Sequence, residues 1–274
     1  MRKEIIEMKI MQFDLWDKVP GMCEEVPKLT VYIPDNKKSD AAVVILPGGA
    51  YAMRAEHEGK GYAEFLAENG YTAFVCDYRV APHRFPIPLT DSRRAVRYAR
   101  YLAEEYGFDK NKIAIMGSSA GGHLAALTST YYEPILGDEI NDDINKEEFI
   151  PNAQILCYPV INLGGKPSDI NVGTGKNLLA EEHAELEWGL TPANIVSEKT
   201  PKAFIWHTFA DDAVNIKNSL NYAVALKNKG INSECHFYPD GHHGMGLAKE
   251  DNKLSKHVSE WTRSLLLWLS YIDF

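Results

Sequence analysis

Positive charge, cysteine and long apolar runs are all scarce in this chain of 274 residues. Lys and Arg number 29 against 38 Asp and Glu, a formal net charge of -9, so no broad basic field exists to release counterions from DNA, RNA or an anionic membrane. The longest apolar stretches, such as AAVVILP from Ala41 to Pro47, are far shorter than the roughly 20 residues a membrane span requires. In the opening MRKEIIEMKIMQFDLWD, charges interrupt every apolar stretch, which reads as no secretory segment and hence a cytoplasmic protein. Cys23, Cys76, Cys157 and Cys235 are scattered without CxxC spacing. Four such cysteines are expected as reduced, small buried hydrophobes, neither disulfides nor zinc ligands. Repeats, low-complexity tracts and an interdomain linker are also missing, so a single domain is expected over residues 1–274.

What is present is alternation. Short β-branched apolar runs at Lys28–Ile33, Ala42–Leu46, Ala73–Cys76, Lys112–Met116, Gln154–Tyr158, Ala203–Trp206 and Glu234–Tyr238 alternate with helical patterns. A further strand is expected within Glu4–Leu15. Such a pattern predicts an α/β fold with a mostly parallel sheet of about eight strands covered by helices on both faces. Asp91 is placed to cap a helix with Ala95, Ala99, Leu102 and Tyr106 at helical spacing, stopping at Gly107. The last helix shows the same periodicity in Val258, Trp261, Leu265 and Trp268.

Two stretches break the alternation. Residues 133–150 hold seven acids (Glu133, Asp138, Glu139, Asp142, Asp143, Glu147, Glu148) and one base, Lys146. Their acids lack the alternate-residue ligands and central Gly of a calcium loop, so a solvated surface insertion is expected. Residues 162–200 are rich in Gly and Pro, with a short helical candidate near Leu178 to Trp188, and read as a cap or lid insertion.

The chemistry is signalled by Gly117-Ser118-Ser119-Ala120-Gly121, which follows the strand KIAIM and opens an apparent helix. A bare G-x-S-x-G would arise by chance in roughly one such chain in ten, so the strand–turn–helix setting carries the inference. A nucleophile elbow holds its Ser in a strained turn, and its neighbours must be small because strand and helix approach closely there. The rival reading is a Gly/Ser-rich helix cap holding phosphate on its amides. No Gly-Lys-Ser/Thr follows, which argues against a P-loop.

A serine nucleophile needs a base, and the base needs an acid to orient it. Two strands downstream supply candidates just past their carboxyl ends, where open α/β sheets place their sites. KAFIWHT runs into Asp211 and Asp212, and ECHFYP runs into His242 and His243. Spacing alone leaves each pair open. Cys235, His236, Asp240, His242 and His243 also suggest a metal cluster, but Cys235 and His236 face opposite sides of a strand. No metal and no cofactor are therefore expected. His123, one turn into the elbow helix, either lines the pocket or packs beneath it.

On the motifs LPGGAY, DYR, FPIPLTD, GSSAGGH, CYPVI, HTFADDAV and HHGMG, the chain resembles α/β-hydrolase esterases of the bacterial acetylesterase and acetyl xylan esterase type, near the hormone-sensitive-lipase-like branch. The resemblance implies Ser119 as nucleophile, Asp211 of D-x-x-V as the acid, and His243, immediately before Gly, as the base. It also implies an oxyanion hole in Pro47–Tyr51, with the amides of Gly49, Ala50 and Ala120 as donors. Ala50 stands where the family has Gly, which adds strain if that position needs a positive φ. Asn215 stands where a Pro often follows D-x-x-V. The implied activity is hydrolysis of short-acyl esters, with acetylated sugars or xylo-oligosaccharides as the implied natural class and Tyr51 and Trp188 as candidates to stack on a sugar ring. A small peptidase on the same fold and a non-catalytic binding protein are the rival functions. The expected partner is a small-molecule ester, not nucleic acid or membrane.

Overall fold

The computed structural model describes residues 8–21, 24–163, 172–180 and 186–274. Eight strands form one sheet: β1 (Lys9–Asp14), β2 (Lys28–Ile33), β3 (Ala42–Leu46), β4 (Thr72–Cys76), β5 (Ile113–Ser118), β6 (Ala153–Cys157), β7 (Lys202–Thr208) and β8 (Ser233–Tyr238). Their order across the sheet is β1-β2-β4-β3-β5-β6-β7-β8. β1 and β2 pair antiparallel with each other, and β2 is antiparallel to β4. Every pairing from β4 to β8 is parallel. This is the mostly parallel sheet that the alternation of strands and helices predicts, in the α/β-hydrolase arrangement that the resemblance implies.

The central strands read as unbroken apolar runs because both faces are covered. In β3, Ala42, Val44 and Leu46 join one buried cluster while Val43 and Ile45 join the other. Helix α1 (Glu56–Glu68), with α7 (Lys253–Val258) and α8 (Glu260–Tyr271), covers the face of Val43 through Tyr62, Leu66, Val258, Trp261, Leu265 and Trp268. The opposite face is covered by α2 (Ile87–Tyr101), α4 (Ser119–Thr130) and α6 (Lys217–Asn228). α3 (Ala103–Tyr106) ends at Gly107, whose φ of 71° closes the helix as its sequence position predicts. No helix among the described residues is long and apolar enough to cross a membrane.

Two sequence expectations need correction. Asp91 does not cap a helix, since α2 begins at Ile87 and places Asp91 in its interior. There Asp91 is fully buried and accepts from Arg79 Nε at 2.8 Å, Arg79 Nη2 at 2.7 Å and Trp16 Nε1 at 2.9 Å. A buried, bidentate partner outweighs any capping preference. Near Leu178 to Trp188, where a helix is expected, the described residues hold the end of α5 (Val172–Leu179). Leu178 and Leu179 are buried in its last turn, and Ala180 then takes a φ of 63° that ends it; residues 181–185 are outside the described set.

The acidic insertion, finally, is more than a solvated loop. Asp138 accepts from both Arg93 (2.5 Å) and Arg97 (2.7 Å), and Asp142 accepts from Arg94 (2.7 Å). Arg100 donates to the Glu148 and Ile150 carbonyls. One face of α2 therefore presents four arginines to this segment, and the charge concentrated there in sequence is largely neutralised in space. The cysteines Cys76 and Cys157 are buried and Cys235 is half-buried, all unpaired; Cys23 lies outside the described residues. Burial pushes the Cys157 thiol up to about 12.

Candidate active site

The loops that leave β3, β5, β7 and β8 at their carboxyl ends meet on one edge of the sheet. Packing at the start of α4 dictates the first element. A Cβ on Gly121 would stand 2.0 Å from the Leu46 carbonyl oxygen, and one on Gly117 would stand 2.1 Å from the Gly121 oxygen. Only glycine permits that approach of strand and helix. Between them Ser119 adopts a φ of 52°, a left-handed conformation that non-glycine residues hold only under constraint. It is 8% exposed and lines a pocket.

His243 Nε2 lies 2.8 Å from Ser119 Oγ, and its Nδ1 lies 2.7 Å from Asp211 Oδ2. The carboxylate fixes the imidazole tautomer: Nδ1 carries the proton, leaving Nε2 to accept from the serine hydroxyl. Of the alternatives in sequence, Asp212 and His242 are both exposed, and His242 Nδ1 donates to the carbonyl of His243. Asp211 is held more firmly than sequence suggests. Its Oδ1 accepts from the amides of Ala213 (3.0 Å) and Val214 (2.8 Å). Its Oδ2 also accepts from Nε2 of the buried His207 at 3.1 Å, and Ser219 Oγ lies 2.8 Å from Nδ1 of the same ring. Burial works to raise the Asp211 carboxyl, but these hydrogen bonds and the His243 charge outweigh it and hold it well below the usual carboxylate range. His207 went unnoticed in the sequence, although it stands four residues before Asp211 in HTFAD.

The segment Pro47–Tyr51 runs beside the nucleophile. Gly49 has a φ of 131°, and a Cβ there would stand 2.3 Å from the Met53 oxygen. Ala50 follows at 56° and Tyr51 at 58°, so the missing glycine at position 50 does introduce strain. Asn177 Nδ2 holds the Ala50 carbonyl at 2.8 Å, and the Ala81 amide holds that of Tyr51 at 2.7 Å. Among the described residues, the amides of Gly49, Ala50 and Ala120 donate to no protein acceptor. That is the state an oxyanion hole requires.

Tyr51 cannot stack on a ligand. It is fully buried, and its hydroxyl lies 2.8 Å from His123 Nδ1. His123 is itself fully buried, and its Nε2 donates to the Leu190 carbonyl at 2.8 Å. Burial lowers its pKa to about 4, so the ring is neutral and braces the Pro47–Tyr51 segment and α4 against the Leu190 carbonyl. Trp188 is 67% exposed and lies outside the pocket wall. The pocket has a volume of about 480 Å³ and is walled mainly by small or flexible groups, among them Gly49, Ala50, Ala52, Met53, Thr174 and Ala213. Among the described residues, no group of three or more ligand-type side chains is arranged to hold a metal.

Comparison with known proteins places this geometry in context. The BD-FAE family model matches residues 29–226. Endo-1,4-beta-xylanase B of Butyrivibrio fibrisolvens is 33% identical over 241 residues, covering 82% of this chain and 36% of that protein. An acetylxylan esterase of Xylanibacter ruminicola is 30% identical over 247 residues, covering 87% of this chain and 48% of its own length. This chain therefore spans about half or less of these two relatives. The acetyl ester-xyloside bifunctional hydrolase of Caldicellulosiruptor lactoaceticus superposes with a TM-score of 0.87 at 37% identity, over 96% of this chain and 97% of that one.

Proposed function

The chain belongs to the BD-FAE family, and on that premise we propose that it is an α/β-hydrolase esterase of the hormone-sensitive-lipase-like type that hydrolyses short-acyl esters, with acetylated sugars or xylo-oligosaccharides as the natural class. The observation that carries the reading is the relay of 2.8 and 2.7 Å from Ser119 through His243 to Asp211, opening on a pocket of small side chains.

His243 Nε2 takes the hydroxyl proton as Ser119 Oγ attacks the ester carbonyl, and Asp211 stabilises the imidazolium that forms. The carbonyl oxygen becomes an oxyanion, received by the amides of Gly49, Ala50 and Ala120, each worth on the order of a hundred- to a thousand-fold in rate. His243 then protonates the departing alcohol as the C–O bond breaks, leaving an acyl-Ser119. Water, deprotonated by the same nitrogen, attacks the acyl carbon, and the proton returns to Ser119 as the acid leaves. The small wall of Ala50, Ala52 and Ala213 supports a short acyl group. We read residues 1–274 as one hydrolase domain carrying insertions at 133–150 and 162–200.

The test is turnover of p-nitrophenyl acetate, butyrate and octanoate beside labelling by a fluorophosphonate probe, with Ser119→Ala as control. Turnover falling steeply from acetate to octanoate, and labelling abolished in Ser119→Ala, are the expected results. A wild-type protein that neither labels nor turns over any of the three esters would overturn the reading.

A further inference from the structure

Glu58 is an acid that neither motif nor spacing singles out, yet it is 3% exposed and forms part of the pocket wall. It stands in the first turn of α1, at the positive end of the helix dipole. Burial of a charge is nonetheless costly unless its oxygens are satisfied. Here they are satisfied by two different parts of the site. The Gly48 amide donates to Oε2 at 2.8 Å, and the Tyr158 hydroxyl donates to Oε1 at 2.7 Å. Tyr158 in turn accepts from the Gly246 amide at 3.0 Å and sets its ring edge-on to the His243 imidazole, with centroids 5.1 Å apart. Glu58 Oε2 and Ser119 Cβ lie 2.5 and 3.0 Å from the point that a Cβ on Gly48 would occupy. The carboxylate and the nucleophile therefore both border the space that the missing Cβ of Gly48 leaves open.

The loops so joined are the two whose geometry the chemistry needs. One carries three successive left-handed residues, Gly49, Ala50 and Tyr51, of which the non-glycine members are strained and persist only where their surroundings hold them. The other carries His243, and His57, next to Glu58, also holds it through Nε2 to the Gly244 carbonyl at 3.0 Å. We propose that Glu58 is a positioning residue for ester hydrolysis: its carboxylate, through Gly48 on one side and Tyr158 on the other, holds the oxyanion segment and the His243 loop in register about Ser119. The proposal rests on the esterase reading above, and a rate loss borne by kcat follows from it, because the groups it places act on the transition state rather than on the bound ester.

The experiment compares wild type with Glu58→Gln, Tyr158→Phe and the double variant on p-nitrophenyl acetate, with kcat taken per fluorophosphonate-reactive site and Tm recorded for each. Gln keeps the volume but cannot accept from both donors. Each single variant is expected to lose about 10- to 100-fold in kcat with KM within about threefold, as for a misplaced catalytic group. The double variant is expected to be no worse than about threefold below the poorer single, since both break one link. Wild-type kcat per reactive site in Glu58→Gln, or losses that multiply in the double variant, would overturn the proposal while leaving the esterase reading intact. A wild type that turns over no ester would remove that reading and this proposal with it.

Discussion

Replacing Asp211 with Asn changes one oxygen to an amide nitrogen at a carboxylate that accepts four hydrogen bonds. Two reach Oδ2, from His243 Nδ1 at 2.7 Å and His207 Nε2 at 3.1 Å, and two reach Oδ1, from the Ala213 and Val214 amides. With the NH₂ toward the histidines, donor faces donor twice, and His243 is driven to the tautomer whose Nε2 already holds a proton. With the NH₂ turned the other way, it opposes two backbone amides, and the negative charge that steadies the imidazolium is still gone. Loss of two charge-assisted bonds, at about 1.5–3 kcal/mol each, removes about 3–6 kcal/mol from the transition state. At 1.36 kcal/mol per decade, that is a fall in kcat of roughly 10² to 10⁴. Steady-state hydrolysis of p-nitrophenyl acetate across pH 6–9 measures it, with Asp212→Asn, an exposed neighbour, expected within about twofold of wild type. The carboxyl of Asp211 is depressed in the fold, so it adds stability above the unfolded value near 4 and loses it as pH falls toward the folded pKa. The Tm difference between wild type and Asp211→Asn is therefore flat from pH 6 to 8 and narrows in acid. An Asp211→Asn enzyme within tenfold of wild type, or an Asp212→Asn enzyme as impaired as predicted for Asp211, would refute the assignment.

Two further predictions concern stability. Arg79→Met leaves the fully buried Asp91 carboxylate without its bidentate partner, and breaking a buried pair from one side is expected to cost about 3–5 kcal/mol, read by urea unfolding at pH 7. His123 is depressed to about 4 by burial, so the unfolded chain takes up a proton below about pH 6.5 that the native state refuses. Native stability should fall by about 3 kcal/mol between pH 6.5 and 4 from this group, and His123→Gln should show a correspondingly shallower slope in urea titrations over that range.

The sheet was legible because β3, β5 and β6 are buried on both faces, which leaves continuous apolar runs with turn residues at either end. The elbow was legible because close packing restricts positions 117 and 121 to glycine, and that restriction is local. Asp91 misled because capping propensity is also local, whereas its actual partners, Arg79 and Trp16, are 12 and 75 positions away in the chain. The acidic insertion misled for the same reason: the arginines that offset it lie on α2, some forty to fifty positions earlier. Tyr51 offered an aromatic beside the nucleophile, and nothing in its spacing told whether the ring faces the pocket or, as it does, His123.

What the sequence by itself determined is what depends on neighbours along the chain: the alternation that builds the sheet, the glycines of the elbow, and the order in which serine, acid and histidine follow three strand ends. Tertiary structure brought Asp211 and His243, the pair the family motif implied, into line with Ser119, and it alone showed that Glu58 and His207 stand behind them and where the negative charge is neutralised. These are matters of direction and distance between segments far apart in sequence. A hydrogen bond of 2.8 Å has no signature in a list of residues until the fold has brought its two ends together.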